Sequence, residues 1–119
     1  MLSAGTTFIW DGHVWFNLTE PAKKDTQVLC VNLTTLDEDC PDDECSISQS
    51  EYNWVKAGHS TTVAFSRAKV WDANKIESAL ASGTLKKPWQ GDIPKATIAK
   101  ILKIAVNARE LSKDLKAFL

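Results

Sequence analysis

Residues 5–72 carry their apolar positions in short runs, whereas residues 73–119 carry them at helical spacing. Thr6-Thr-Phe-Ile-Trp10 and His13-Val-Trp-Phe-Asn-Leu-Thr19 are rich in β-branched and aromatic residues. The Asp11-Gly12 turn dipeptide between them predicts a hairpin. Pro21 and the Lys23-Lys-Asp25 cluster read as a loop. Gln27-Val-Leu-Cys-Val-Asn-Leu-Thr34 is the most apolar run, and its length suits a buried central strand. Glu44-Cys-Ser-Ile-Ser48 reads as a short strand, and Ser60–Phe65 with Ala68–Trp71 as one or two more, kinked at Ser66-Arg67. Asp72 is the N-cap expected for a helix over 73–82, with Gly83 ending it. Pro94 suits the first turn of a longer helix, on which Ile98, Ile101, Leu102, Ala105 and Ala108 share a face. The apolar phase slips near Asn107, so Leu111, Leu115 and Phe118 belong to a bend or to a separate tail segment. This order predicts one α+β, mainly β, domain over 1–119. A small barrel-like antiparallel sheet (5–72) is followed by a short helix and a longer C-terminal helix (73–119).

Charge changes the picture. The chain of 119 residues has 14 Lys/Arg and 15 Asp/Glu, a net charge of −1. Residues 1–51 hold two Lys and ten acids, however, and residues 52–119 hold twelve Lys/Arg and five acids. Such asymmetry points to a partner or to internal pairing. Six acids fall within residues 37–44, a run expected to be a solvated loop. Its alternative reading is a phosphate mimic that docks on a basic partner. With 44% hydrophobic residues and so little net charge, disorder is excluded as the main state. A protein basic over its whole surface is excluded as well.

Neither a basic n-region nor an apolar h-region opens the chain, and no apolar run approaches the roughly 20 residues of a spanning helix. Three cysteines, Cys30, Cys40 and Cys45, do not form an even-numbered disulfide framework. The expectation is a cytoplasmic protein with free thiols, no cofactor and no membrane partner. The Asn17 and Asn32 triplets Asn-Leu-Thr are then coincidental glycan acceptors. Phosphate-cradling glycine loops, Gly-x-Ser-x-Gly and His-Glu-x-x-His are absent. A zinc site on Cys40 and Cys45 would need two more ligands from Cys30, His13 or His59, so no metal is expected.

Candidate chemistry falls to residues able to move protons or hold phosphate. Histidine ordinarily titrates near neutrality, which makes His13 and His59 candidate acid–base groups. Thr34 and Thr35 end the central strand, where hydroxyls can face a cleft. Arg67 can grip a phosphate bidentately. Of the five tryptophans, Trp10, Trp15 and Trp71 read as core or corner fillers. Trp54 and Trp89 stand near lysines, a setting in which a base can stack.

Gly12-His-Val-Trp-Phe-Asn-Leu-Thr-Glu-Pro21, Val28-Leu-Cys-Val-Asn-Leu-Thr-Thr-Leu36 and Gly58-His-Ser60 leading to Val63–Trp71 resemble the PemK/Kid/MazF-type toxins of toxin–antitoxin systems. The likeness is to a divergent branch, and it covers roughly residues 5–72. It implies an SH3-like barrel, a homodimer, metal-independent cleavage of single-stranded RNA and a neutralising antitoxin partner. In such toxins a loop arginine and a hydroxyl after the central strand act at the scissile phosphate. Thr34 or Thr35 matches the hydroxyl, while the loop offers Lys23 and Lys24 instead of arginine. The family's arginine–aspartate strand corresponds to Ala64 and Ser66, with Arg67 one residue beyond. The expected catalytic set is therefore His13, Thr34, Thr35, His59, Ser60 and Arg67. Substrate contacts fall to Lys23, Lys24, Trp54, Lys56, Ser66 and Lys69. The alternative is a non-catalytic binding module for protein or nucleic acid.

Overall fold

The computed structural model describes residues 2–36, 41–54 and 60–119. Its organising element is the long strand β3 (Gln27–Thr35). One edge of β3 pairs with β2 (His13–Asn17), which pairs in turn with β1 (Thr7–Trp10). The other edge carries two strands end to end. Here β5 (Thr61–Val63) lies along Leu33–Thr35 and β6 (Lys69–Asp72) along Gln27–Cys30. All these pairings are antiparallel, and a two-residue strand β4 (Ser46–Ile47) extends the sheet beyond β5. Between β5 and β6, residues 64–68 stand opposite only Val31 and Asn32, so the surplus bulges out as a 3-10 turn, Phe65–Arg67. The kink expected at Ser66-Arg67 is this turn.

The β1–β2 connection is the expected Asp-Gly hairpin. Asp11 and Gly12 both adopt positive φ, 52° and 76°, as a type I′ turn requires. Strand β3 reads as a nearly continuous apolar run because both of its faces are covered. Leu29, Val31 and Leu33 join Val14, Phe16 and Val63 in one core, closed by Ile98, Ile101 and Ala105 of α2 (Lys95–Ala105). Val28 and Cys30 join Phe8 and Trp15 in a second, closed by Ala73 and Ile76 of α1 (Ala73–Ser82). Helix α1 starts and stops as its sequence predicts. The Asp72 carboxylate accepts from the Asn74 N–H at 2.9 Å, and Gly83 ends the helix at φ 81°. The phase slip near Asn107 marks the end of α2. Leu111 and the four-residue helix α3 (Lys113–Lys116) form a separate tail that folds back on the first core.

Among the described residues the sheet does not close into the expected barrel. Its two edge strands, β1 and β4, do not pair with each other. Residues 86–92 cover the edge of β1 instead. The Ile9 N–H donates to the Lys86 carbonyl at 2.8 Å and the Thr7 N–H to the Asp92 carboxylate at 3.1 Å. Covering the edge in this way protects it from pairing with other chains. Asn17 and Asn32, both in glycan-acceptor triplets, are fully buried, so neither offers an acceptor surface.

The charge asymmetry is partly an internal match. Glu51 pairs with Lys100 at 2.7 Å and Asp43 with Arg109 at 2.7 Å, each joining the acidic half to the basic half. The Lys100 ammonium, with the Ser48 N–H, holds the Glu51 carboxyl below the usual carboxylate range. The stability it contributes is complete above the ordinary carboxylate pKa and fades as pH falls.

Cys30 and Cys45 are free and buried. Burial pushes the Cys30 thiol to about 12 and the Cys45 thiol to about 11, from 9.0. Both native thiols stay protonated where unfolded ones ionise. Stability is therefore full below pH 9 and falls above it by about 1.4 kcal/mol per pH unit for each thiol. In a Cys40→Ser variant, the two remaining thiols are expected to react with a disulfide reagent only as fast as the chain unfolds. A fast phase without unfolding would contradict their burial.

Candidate functional site

Strand register gathers the cationic and aromatic residues on the α1 face of the sheet. A two-residue turn forces Trp10 opposite His13, and the next same-face pair is Phe8 with Trp15. Across β3, Trp15 faces Asn32, Cys30 faces Lys69 and Val28 faces Trp71, all on this same side. Helix α1 packs over the part of this face near Val28, Phe8 and Trp71. Toward His13 the face opens as a cleft of about 410 Å³, lined by Trp10, Asp11, His13, Trp15, Arg67 and Lys69.

Trp10 and Trp15 line the cleft, and Trp71 packs against both. Trp15 and Trp71 lie 5.0 Å apart between ring centres, and Trp10 meets each edge-on at 5.7 and 5.3 Å. The Trp15 indole N–H donates to the Trp10 carbonyl at 3.1 Å, which locks the strand end. Lys69 Nζ stands 4.7 Å from the Trp10 ring centre, a cation–π contact. Arg67 Nη1 lies 3.4 Å from His13 Nε2. Arginine has only donors, so Nε2 is the acceptor in this contact. The cleft thus offers two cations, an imidazole and an exposed indole.

The 3-10 turn presents Arg67, and Asp42 pins that turn. The Asp42 carboxylate accepts from the Ser66 N–H at 2.9 Å and from the Ser66 hydroxyl, while Asp42 itself is 2% exposed. The acidic run is therefore not uniformly solvated. Asp42 is built into the fold, and Asp43 and Glu44 hold Arg109.

Of the residues singled out by sequence, His13, Arg67 and Lys69 meet in the cleft. Ser66 adjoins it, with its hydroxyl turned to Asp42. Thr34 pairs with Thr62, and by strand alternation it lies on the face that carries Asn32 and His13. Thr35 alternates to the other side, opposite Thr61. Ser60 is exposed, and its carbonyl accepts from the Leu36 N–H. Lys23 and Lys24 lie in the loop that enters β3 at Gln27, the end away from Thr34, and do not join the cleft. Trp54 packs partly buried against the opposite core. Lys56, His59 and Cys40 lie outside the described residues. Among the described residues, no group of three or more acidic, His or Cys side chains could hold a metal ion, and no helix is long and apolar enough to cross a membrane.

Sequence reasoning missed Trp10, Trp15 and Asp42 as parts of this site. The hairpin itself was a usable signal for Trp10, because a two-residue turn must set it beside His13. No protein family, curated protein or solved structure matches the chain.

Proposed function

We propose that the cleft binds the backbone of single-stranded RNA and that the chain cleaves it without a metal ion. The observation that carries this reading is the meeting of His13, Arg67 and Lys69 on an indole wall. The sequence likeness to PemK/Kid/MazF-type toxins points the same way. Cations hold a phosphodiester while an aromatic face stacks a base, and the stacking tolerates any sequence. The reaction needs a base for the ribose 2′-hydroxyl, positive charge on the phosphorane and a proton for the leaving oxygen. With Arg67 turned to the phosphate, His13 Nε2 is free to take the 2′-hydroxyl proton as that oxygen attacks phosphorus. The P–O5′ bond breaks, leaving a 2′,3′-cyclic phosphate, and the 5′ oxygen is protonated from solvent or by the Lys69 ammonium. Arg67 and Lys69 offset the charge that builds on the non-bridging oxygens. An antitoxin segment that neutralises the chain would compete with RNA here.

A second reading, RNA binding without cleavage, is favoured by one observation. Among the described residues, a single imidazole lines the cleft, and the Ser66 hydroxyl beside it is already engaged by Asp42.

Binding is tested by fluorescence anisotropy of a labelled single-stranded RNA across a salt series. Arg67→Ala and Lys69→Ala should each weaken binding and reduce the salt slope by about 0.7, the loss of one phosphate contact. Binding unchanged by either substitution would remove the cleft from the account.

A further inference from the structure

Beside the cationic cleft lies a second depression of about 220 Å³, lined by Phe8, Trp71, Ile76 and Leu85, with Asp72 and Lys75 at its margin. Trp10 lines both. We propose that this depression is a subsite for one nucleobase of the RNA whose phosphate sits on Arg67 and Lys69. The inference rests on the RNA reading above and adds the place where a base is held.

Three observations support a planar heterocycle over an aliphatic ligand. The volume falls below the roughly 300–1,000 Å³ of pockets that enclose drug-sized ligands, which suits a single ring system. The lining is aromatic on two sides. Trp71 stands 5.4 Å from Phe8 and edge-on to Trp10 at 5.3 Å, and the exposed Trp10 ring is the surface a base can reach. The margin is polar and of both signs, with a carboxylate and an ammonium, matching the mixed donors and acceptors on a base edge.

The arrangement also fits how a nucleotide is built. Base and phosphate are held apart by a ribose, and here an aromatic pocket and a cationic cleft are held apart by one indole, Trp10. Lys69 lies over the Trp10 ring, so the phosphate-binding cation and the base-binding wall are mechanically joined. Trp10 is 39% exposed, consistent with a wall that a ligand can reach.

The test compares a pentaribonucleotide with the same oligomer carrying one abasic ribose at each position in turn, using anisotropy on the full chain. Stacking against an aromatic pocket predicts that one abasic position weakens binding about tenfold and the others much less. Leu85→Trp, which fills the depression from its margin, should weaken the intact oligomer to the level of that abasic one and leave the abasic one unchanged. Its folding is checked by circular dichroism, and the abasic series stands without it. If every abasic oligomer binds like the intact one, and binding still depends on Arg67, the base subsite is wrong and the cleft stands. If no oligomer binds, both the subsite and the RNA reading fall.

Discussion

Asp42→Ala is expected to destabilise the chain by about 1–3 kcal/mol and to weaken RNA binding about tenfold. The stability loss follows from burial. Asp42 is 2% exposed and accepts from both the Ser66 N–H and the Ser66 hydroxyl. Removing it takes away the acceptor of both Ser66 donors and empties a buried position, although Ser66 itself is exposed and water can meet part of the loss. The binding loss follows from geometry. Ser66 is the middle residue of the 3-10 turn, and Arg67 is the next. Once the turn is unpinned, the Arg67 guanidinium is no longer held 3.4 Å from His13. Asp42→Asn keeps an oxygen for the Ser66 N–H and should lose less of both. Urea unfolding together with RNA anisotropy reads the two effects. An Asp42→Ala protein of parental stability would show that the turn is held by something else.

His13→Ala carries the second large effect, a fall of about 10²–10⁴ in the rate of RNA cleavage. In the proposed reaction His13 Nε2 accepts the 2′-hydroxyl proton, and among the described residues it is the one imidazole lining the cleft. The imidazole stands half-buried at the end of the hairpin, so folding should change by less than about 1 kcal/mol. RNA affinity should fall little, because the proposal assigns the phosphate contacts to Arg67 and Lys69. A variant that binds but does not cut separates proton transfer from binding. A variant that cuts at the parental rate would assign the proton work to another residue, and one that loses binding equally would make His13 a contact residue only.

These effects depend on features that differ in how openly the sequence displays them. The hairpin, helix α1 and the break after α2 are local. Asp11-Gly12 selects its own turn, Asp72 and Gly83 bracket their helix, and the apolar phase of 98–105 ends where the helix does. Strand β3 was legible as a buried strand because it must face two cores at once. Closure of the sheet was not legible. It depends on whether the far edges meet, and here residues 86–92 occupy one edge first.

The site divides in the same way. His13, Arg67 and Lys69 were identifiable by residue type; strand register brings His13 and Lys69 to one face, and the 3-10 turn adds Arg67. Lys23 and Lys24 looked equivalent by type but enter at the other end of β3. Asp42 was hidden by its neighbours. In a run of six acids composition argues for water, and only the tertiary position of Ser66 draws one of them inside. Trp10 and Trp15 read correctly as packing residues, yet one face of that packing is the cleft wall.

Metal-free RNA cleavage in the cleft is tested most directly on a single gel. Purified protein is incubated with an end-labelled single-stranded RNA in excess EDTA, alongside His13→Ala and Arg67→Ala. The account predicts fragments ending in 2′,3′-cyclic phosphate with the parent, and at least about a hundredfold less with His13→Ala. Intact RNA in the parent lane, or equal fragmentation in all three lanes, would contradict it.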